Sequence, residues 1–282
     1  MRPGARTDVG PPLRFLSSEP RLGFGAWAVG GTEWGAPAAE PERLAAIHRA
    51  LELGITFFDT APTYGDGASE TLLGRALKAD RDHVAIATKI GPRDDPRRSL
   101  EASLRRLATD RVDLIQLHEA VEGWERQLEQ LHTLQERGKA LAVGLCNATH
   151  RQLVRALEIA PVVAYQGPYN LFDRDVEQRE LPLCQARQIA FLAYRPLAAG
   201  LLSGKYVAPP EFPAADHRRK IYWFKGREFE RRRTEVDRIE RLDGKTSAET
   251  IAALWTDGNP TSMVAAQVKV FCDQLGEWGL LD

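Results

Sequence analysis

Four residues that can move a proton lie at or just after the ends of apolar segments of this chain: Asp59, Tyr64, Lys89 and His118. Free tyrosine has a pKa near about 10, but a nearby ammonium group stabilises tyrosinate and lowers that pKa. We expect Lys89 to act on Tyr64 in this way, with Asp59 pairing with Lys89 and holding it in place. A tyrosine of this kind can donate a proton to a carbonyl oxygen as that oxygen gains negative charge.

The chemistry of a carbonyl reduction also assigns a role to His118, which would orient the carbonyl oxygen or assist the proton transfer. Because no amino-acid side chain supplies a hydride, the set predicts a bound nicotinamide. Taken singly, each residue has an ordinary structural interpretation as a helix cap, a loop aromatic, an ion-pair partner or a residue on the rim of a pocket. Their shared position after successive apolar runs favours a catalytic site.

Apolar runs and amphipathic segments alternate along the chain at intervals of roughly 30 residues, which is typical of βα units. Eight strands alternating with helices favour an α/β fold of the (β/α)8 barrel type. No Gly-x-Gly-x-x-Gly follows a predicted strand, which argues against a Rossmann domain. The predicted strands are 22–29, 56–58, 83–90, 112–117, 140–145, 162–165, 189–197 and 262–267, and the predicted helices include 41–53, one opening at Ser69, 96–108, 124–137, 149–159, 181–187, 228–242 and 247–255.

A barrel of this kind brings the carboxyl ends of its strands together on one face. We therefore expect the four polar residues to share a pocket. Residues 1–21 are interpreted as a lead-in or hairpin, and residues 22–282 as a single barrel domain.

The composition is that of an ordinary globular protein, with 282 residues, 43% hydrophobic residues and a net charge of −1. This charge indicates neither a nucleic acid nor an anionic membrane as partner. The three cysteines have no metal-ligand spacing, and together with the lack of a signal-peptide pattern they predict a cytoplasmic protein without a metal. The oligomeric state is not readable from the sequence.

Several motifs of the chain resemble those of the aldo-keto reductase family. They are GITFFDTAPTYGDGASETLLGRALK (54–78), ATKIG (87–91), VDLIQLHE (112–119) and FLAYRPLAAGLLSGKY (191–206). The resemblance implies an (α/β)8 barrel that binds NADPH without a Rossmann domain and reduces an aldehyde or ketone of a small molecule. It also implies that Asp59, Tyr64, Lys89 and His118 are the catalytic tetrad of the family, with the tyrosine as proton donor.

The same resemblance implies the cofactor site. Asn147 and Gln166 would hold the nicotinamide carboxamide, and Tyr194 would stack on the ring. Cys146 stands where the family has a serine, and Arg195 stands where it commonly has serine or threonine. The remaining residues assigned to cofactor binding are Trp27, Leu197, Gly200, Leu201, Ser203, Gly204, Lys205 and Gln267.

One departure from the family pattern concerns the adenosine 2′-phosphate. Gln267 stands where the family usually has a basic residue, and Lys269 is displaced from that position by two residues. We therefore expect NADP as cofactor, with NAD as a possible substitute. Two alternatives remain open from the sequence: a redox-neutral lyase, dehydratase or isomerase that uses the same four residues, and a non-catalytic barrel that binds a nucleotide or a partner.

Overall fold

The computed structural model describes residues 22–240. Within them, strands and helices alternate as βα units. The strands are β1 (Gly23–Gly25), β2 (Phe57–Asp59), β3 (Ala85–Ile90), β4 (Val112–Leu117), β5 (Ala140–Cys146), β6 (Val162–Pro168) and β7 (Ala190–Tyr194). The helices are α1 (Trp27–Gly30), α2 (Glu40–Glu52), α3 (Ala68–Ala76), α4 (Pro96–Leu107), α5 (Trp124–Glu136), α6 (His150–Ile159), α7 (Glu180–Ala186) and α8 (Gly226–Glu240).

The seven described strands form one parallel sheet in the order β1 to β7. Sequential parallel pairing with intervening helices is the topology of a (β/α)8 barrel. The predicted strand at 262–267 and the predicted helix at 247–255 lie outside the described residues. The described residues contain no helix that is both long enough and apolar enough to span a membrane.

The chain divides into two compact units. In the described part, the first unit contains residues 22–198 and 212–218, and therefore all seven strands. The second contains residues 199–211 and 219–240, including three short 3-10 helical segments or parts of them and α8. The assignment of 22–282 to a single domain stays a prediction.

Helix boundaries follow signals that are visible in the sequence. The Asp95 side chain accepts a hydrogen bond from the backbone N–H of Arg98 at the start of α4, with Pro96 in the first turn. At the start of α6, Thr149 and Gln152 form a reciprocal capping box. Such caps satisfy backbone donors that a helix leaves unpaired at its N-terminus.

The first strand is shorter than predicted. The prediction of a strand over 22–29 is wrong after Gly25, because Trp27–Gly30 forms the helical turn α1. The backbone N–H of Ala26 donates to the carbonyl of Asp59 at 2.8 Å, and the carbonyl of Ala26 accepts from the Ser69 hydroxyl at 2.8 Å. These bonds end the regular pairing and turn the chain towards the loop after β2.

Two hydrophobic layers hold the sheet. Inside the sheet, three alanines and a leucine from adjacent strands (Ala87, Leu114, Ala142 and Ala164) pack together. Outside it, larger aliphatic residues of strands and helices form the main core. Every residue of β3 and β4 is buried, as expected for parallel strands that are covered on both faces.

Helix α3 packs closely on α4 at Gly74. A Cβ added at Gly74 would lie 2.5 Å from the carbonyl oxygen of Leu107 and 2.6 Å from its carbonyl carbon. Gly74 therefore permits backbone contact between the two helices.

We predict that Gly74→Ala destabilises the protein. Overpacking costs about 1–3 kcal/mol, which should exceed the gain of about 1 kcal/mol in helix propensity. Thermal unfolding followed by circular dichroism measures the change, with the exposed Arg75→Ala on the same helix as control. A higher melting temperature for Gly74→Ala would show that the helices do not touch there.

Candidate active site

Lys89, on β3, is the centre of the candidate site. Its side chain is 1% exposed, and its Nζ donates to Asp59 Oδ2 at 2.7 Å. Nζ also donates to the Thr60 carbonyl at 2.8 Å and to the Tyr64 hydroxyl at 3.3 Å. The ammonium therefore has three oxygen partners, which together replace the water that it loses on burial.

The carboxylate of Asp59 is shared between two neighbours. Besides Lys89, it accepts a hydrogen bond from Gln166 Nε2 on β6 at 3.1 Å. The side-chain oxygen of Gln166 in turn accepts from the thiol of Cys146 at 3.1 Å. The strand ends of β2, β3, β5 and β6 are thereby joined by one line of polar contacts.

Tyr64 is held by a close contact between two turns. A Cβ at Gly30 would lie 2.6 Å from the Tyr64 carbonyl oxygen, and Gly65 has a φ of +59°. A Cβ at Gly65 would overlap the carbonyl oxygen of Gly30. Glycine alone fits such an approach without strain. These two glycines therefore fix where the Tyr64 side chain projects from the loop after β2.

Residues at the start of α3 form hydrogen bonds with the ends of the neighbouring strands. The Ser69 hydroxyl forms a hydrogen bond with the Thr60 hydroxyl at 2.8 Å as well as with the Ala26 carbonyl. The next residue, Glu70, is fully buried, and it accepts hydrogen bonds from the Thr88 hydroxyl and from Arg106 Nε, both at 2.6 Å. Ser69 and Glu70 thus connect the ends of β1, β2 and β3 to α4.

His118 follows β4 and lies beside Tyr64. The two rings are 5.9 Å apart and nearly perpendicular. The carbonyl of His118 accepts from Asn147 Nδ2 at 3.1 Å, and Asn147 Oδ1 accepts from the Tyr194 hydroxyl at 2.8 Å. The structure therefore brings the four predicted catalytic residues together, with the predicted carboxamide ligands at the neighbouring strand ends.

The pKa of Tyr64 corrects one expectation. Burial raises this pKa to about 12, although the Lys89 ammonium acts in the opposite direction and lowers it. The predicted effect of Lys89 is present, but the net pKa is above that of free tyrosine. Tyr64 therefore keeps its proton throughout the neutral range.

The other two titrating groups have charge states set by their surroundings. Burial acts to lower the pKa of Lys89, but the Asp59 carboxylate and Tyr64 raise it above its usual value, so Lys89 is charged. Burial and the charge of Lys89 lower the pKa of His118 to about 4. His118 is consequently a neutral imidazole at neutral pH.

His217 is a neighbour of the site that the sequence did not predict. His217, from the loop that re-enters the first unit, has its ring 4.7 Å from that of Trp27. Trp27 in turn stacks on Tyr64, with ring centroids 5.6 Å apart and planes 19° apart. No local pattern around His217 marks this position, since it lies 153 positions after Tyr64 in the sequence.

The residues predicted to bind the cofactor fall into three groups. Trp27, Asn147, Gln166, Tyr194 and Arg195 lie in the first unit with the four polar residues, as does the exposed Leu197. Residues 200–205 belong to the second unit, where the Ser203 hydroxyl donates to the Gly200 carbonyl and Arg233 donates to the Gly204 carbonyl. Gln267 and Lys269 lie outside the described residues.

The residues at the ends of β5, β6 and β7 suit a nicotinamide in their chemistry. Asn147 is exposed, and its left-handed backbone, with φ of +53°, turns its amide towards Tyr194. Two amide side chains and an aromatic ring can bind a carboxamide and a flat heterocycle. The Arg195 guanidinium lies 4.9 Å from the centre of the Tyr194 ring.

Comparison with known proteins identifies the family. The model of the aldo/keto reductase family matches residues 21–259. Aldo-keto reductase YhdN of Bacillus subtilis is 34% identical over 265 residues, which cover 87% of this chain and 80% of that relative. The solved glycerol dehydrogenase of Gluconobacter oxydans has a TM-score of 0.71 at 31% identity, with 90% of each chain covered. An aldo/keto reductase of Klebsiella pneumoniae, solved with NADP and acetate, has a TM-score of 0.58 at 31% identity and 65% coverage of each chain.

The chain belongs to the aldo-keto reductase family, and its fold is the (β/α)8 barrel of that family. It is an oxidoreductase of the aldo-keto reductase type. The relatives support NAD(P)H-dependent carbonyl reduction as its general chemistry.

The raised pKa of Tyr64 generates a prediction about alkaline pH. The unfolded chain releases this proton near about pH 10, whereas the folded protein holds it until about pH 12. The contribution of Tyr64 to stability is therefore complete below about pH 10 and is lost as the pH rises towards about 12.

The measurement is the tyrosinate absorbance of the wild type minus that of Tyr64→Phe. We expect no difference between about pH 8 and pH 10. In a Lys89→Met background the ionisation should move to still higher pH, because the lowering effect of the ammonium is gone. A tyrosinate signal from Tyr64 below about pH 10 would contradict the effect of burial.

Proposed function

We propose that this protein reduces the aldehyde or ketone group of a small molecule to an alcohol with NADPH, and that Tyr64 is the proton donor. The observation that supports this is the position of the Lys89 Nζ, which contacts the Asp59 carboxylate and the Tyr64 hydroxyl at once. A charge held there stabilises the tyrosinate that remains after the proton has left.

The charge states suit the proton donation that a reduction requires. Tyr64 is fully protonated at neutral pH and is a stronger acid than the alcohol that it forms, so proton donation to a developing alkoxide is downhill. Lys89 stays protonated throughout, because the negative charge of Asp59 stabilises its ammonium group. In the reverse direction, the small fraction of tyrosinate at neutral pH limits the base that is available.

His118 contributes as a neutral group. Its imidazole lies edge-on to the Tyr64 ring, and its low pKa excludes a protonated form at neutral pH. We assign it the orientation of the carbonyl oxygen by a ring N–H. It does not serve as the acid.

The cofactor is assigned to the ends of β5, β6 and β7. Asn147 and Gln166 would hold the nicotinamide carboxamide, Tyr194 would stack on the ring, and the segment from Leu197 to Lys205 would cover the pyrophosphate, with Trp27 at the mouth of the site. When bound, the nicotinamide supplies the hydride to the carbonyl carbon. The Klebsiella pneumoniae relative was solved with NADP, which supports a nicotinamide dinucleotide as the cofactor.

The choice between NADP and NAD depends on residues 267–269. A glutamine at 267 offers a neutral contact to a phosphate, and charge-assisted hydrogen bonds are about twice as strong. We therefore propose a relaxed preference that extends to NAD. The redox-neutral alternative has no support among the relatives compared, which are named as reductases and a dehydrogenase.

Removal of the Tyr64 hydroxyl tests the proton donor. We expect Tyr64→Phe to lower kcat for reduction about 10³-fold, within the range for loss of a general acid, and to leave the Kd for NADPH unchanged. Steady-state NADPH oxidation gives the rate, and quenching of tryptophan fluorescence gives the Kd. The control is Tyr222→Phe, at a tyrosine that is largely exposed. A variant with near-normal kcat would rule out this role.

The cofactor preference is tested by titrating the wild type, Gln267→Arg and Lys269→Gln with NADPH and NADH. Gln267→Arg should tighten NADPH binding by about tenfold, equivalent to about 1.4 kcal/mol, and leave NADH binding unchanged. If the wild type already prefers NADPH strongly and Lys269→Gln removes that preference, Lys269 replaces the missing basic residue and the proposed relaxation is wrong.

A further inference from the structure

Three aromatic residues form a cluster beside the reactive hydroxyl: Trp27, Trp34 and His217. The Trp34 ring meets Trp27 edge to face, with ring centroids 5.2 Å apart. The His217 ring lies 4.7 Å from Trp27 and 6.0 Å from Trp34. All three side chains are partly exposed, and Trp27 stacks on Tyr64. A substrate whose carbonyl reaches the Tyr64 hydroxyl would lie near Trp27, the member of the cluster that stacks on Tyr64.

A buried ion pair stands behind the aromatic cluster. Asp216 is 2% exposed, and its carboxylate accepts three hydrogen bonds from Arg218. Oδ1 accepts from the backbone N–H at 2.8 Å and from Nε at 3.0 Å, while Oδ2 accepts from Nη2 at 2.6 Å. This fork geometry fixes the guanidinium in both position and plane.

The ion pair is attached to two members of the aromatic cluster. Arg218 Nη2 donates to the Trp34 carbonyl at 2.9 Å, and the guanidinium lies 5.6 Å from the centre of the Trp34 ring. His217 lies between the two charged residues in the chain, and its backbone N–H donates to the Glu33 carbonyl at 2.7 Å. The segment 212–218 is thereby fastened to the loop that carries Trp34.

We propose that Asp216 and Arg218 are positioning residues that hold the aromatic cluster beside Tyr64, and that this cluster selects planar aryl carbonyl substrates over small aliphatic ones. The substrate preference rests on the function proposed above. Aromatic rings gain from stacked or edge-to-face contact with other rings beyond the area that they bury. A small aliphatic carbonyl reaches the same hydroxyl without that gain.

The test compares two substrates, 4-nitrobenzaldehyde and propanal, in the wild type and in Arg218→Ala. We expect KM for the aryl aldehyde to rise about tenfold, as for the loss of aligned aromatic contacts. The kcat, KM for propanal and Kd for NADPH should stay within about threefold, because Arg218 touches none of the reacting groups. Arg219→Ala, at the exposed neighbouring position, is the matched control and should behave as the wild type.

A double-mutant cycle distinguishes positioning from general loss of structure. If Arg218 acts through Trp34, then adding Arg218→Ala to Trp34→Ala should change KM for the aryl aldehyde little further. Fully additive effects would refute this coupling. If Arg218→Ala does not fold, Trp34→Ala and His217→Ala are compared with the wild type, and an unchanged aryl KM in both would refute the selective role of the aromatic cluster.

The inference and the proposed function can fail separately. Unchanged aryl KM in a folded, active Arg218→Ala variant overturns the inference and leaves the reduction intact. If the wild type reduces neither aldehyde, the proposed reduction of such carbonyls is not supported. The role of Arg218 is then tested by measuring the binding of the aryl aldehyde alone. In that case 4-nitrobenzaldehyde should quench tryptophan fluorescence with a Kd about tenfold weaker in Arg218→Ala, and equal Kd values would overturn the inference.

Discussion

The candidate site depends on the burial of one ammonium group. Lys89 is almost fully inside the sheet, where a charge without partners would be very costly. The carboxylate of Asp59 and the carbonyl of Thr60 offset that cost, and they leave one direction of Nζ for the Tyr64 hydroxyl. Two other features of the site follow from this constraint: the position of the phenol, and the line of contacts from Asp59 to Gln166 and Cys146. Burial of His118 lowers its pKa, and the charge of Lys89 adds to that effect.

Much of the fold could be predicted from the sequence, because each βα unit carries its own local signals. The strands predicted at 83–90 and 112–117 contain β3 and β4, and the helix predicted at 149–159 contains α6. The shared face of Asp59, Tyr64, Lys89 and His118 followed from the same reasoning, since the carboxyl ends of barrel strands converge. The early end of β1 was not predictable in this way. The Ala26 carbonyl accepts a hydrogen bond from the hydroxyl of Ser69, which is 43 residues away in the sequence.

Two further properties of the site could not come from residue types alone. The sign of the net pKa shift of Tyr64 depends on the balance between burial and the charge of Lys89, and only the fold sets that balance. The contact of His217 with Trp27 depends on a segment that leaves the first unit after Ala198 and returns at Phe212. Contacts and burial that depend on residues this far apart in the chain leave no periodic pattern in the sequence. The roles assigned to the tetrad and to the cofactor residues remain proposals.

The link from Ser69 and Glu70 to α4 has a consequence for exchanging parts between related barrels. Arg106 belongs to an outer helix, yet it ends a chain of contacts that runs through Glu70 to Thr88, the residue before Lys89. A graft that replaces α4 alone would remove the counter-ion of a fully buried carboxylate. The interchangeable piece in this barrel is therefore larger than one helix: α3, α4 and the end of β3 have to be inherited together if the chemistry is to survive the transfer.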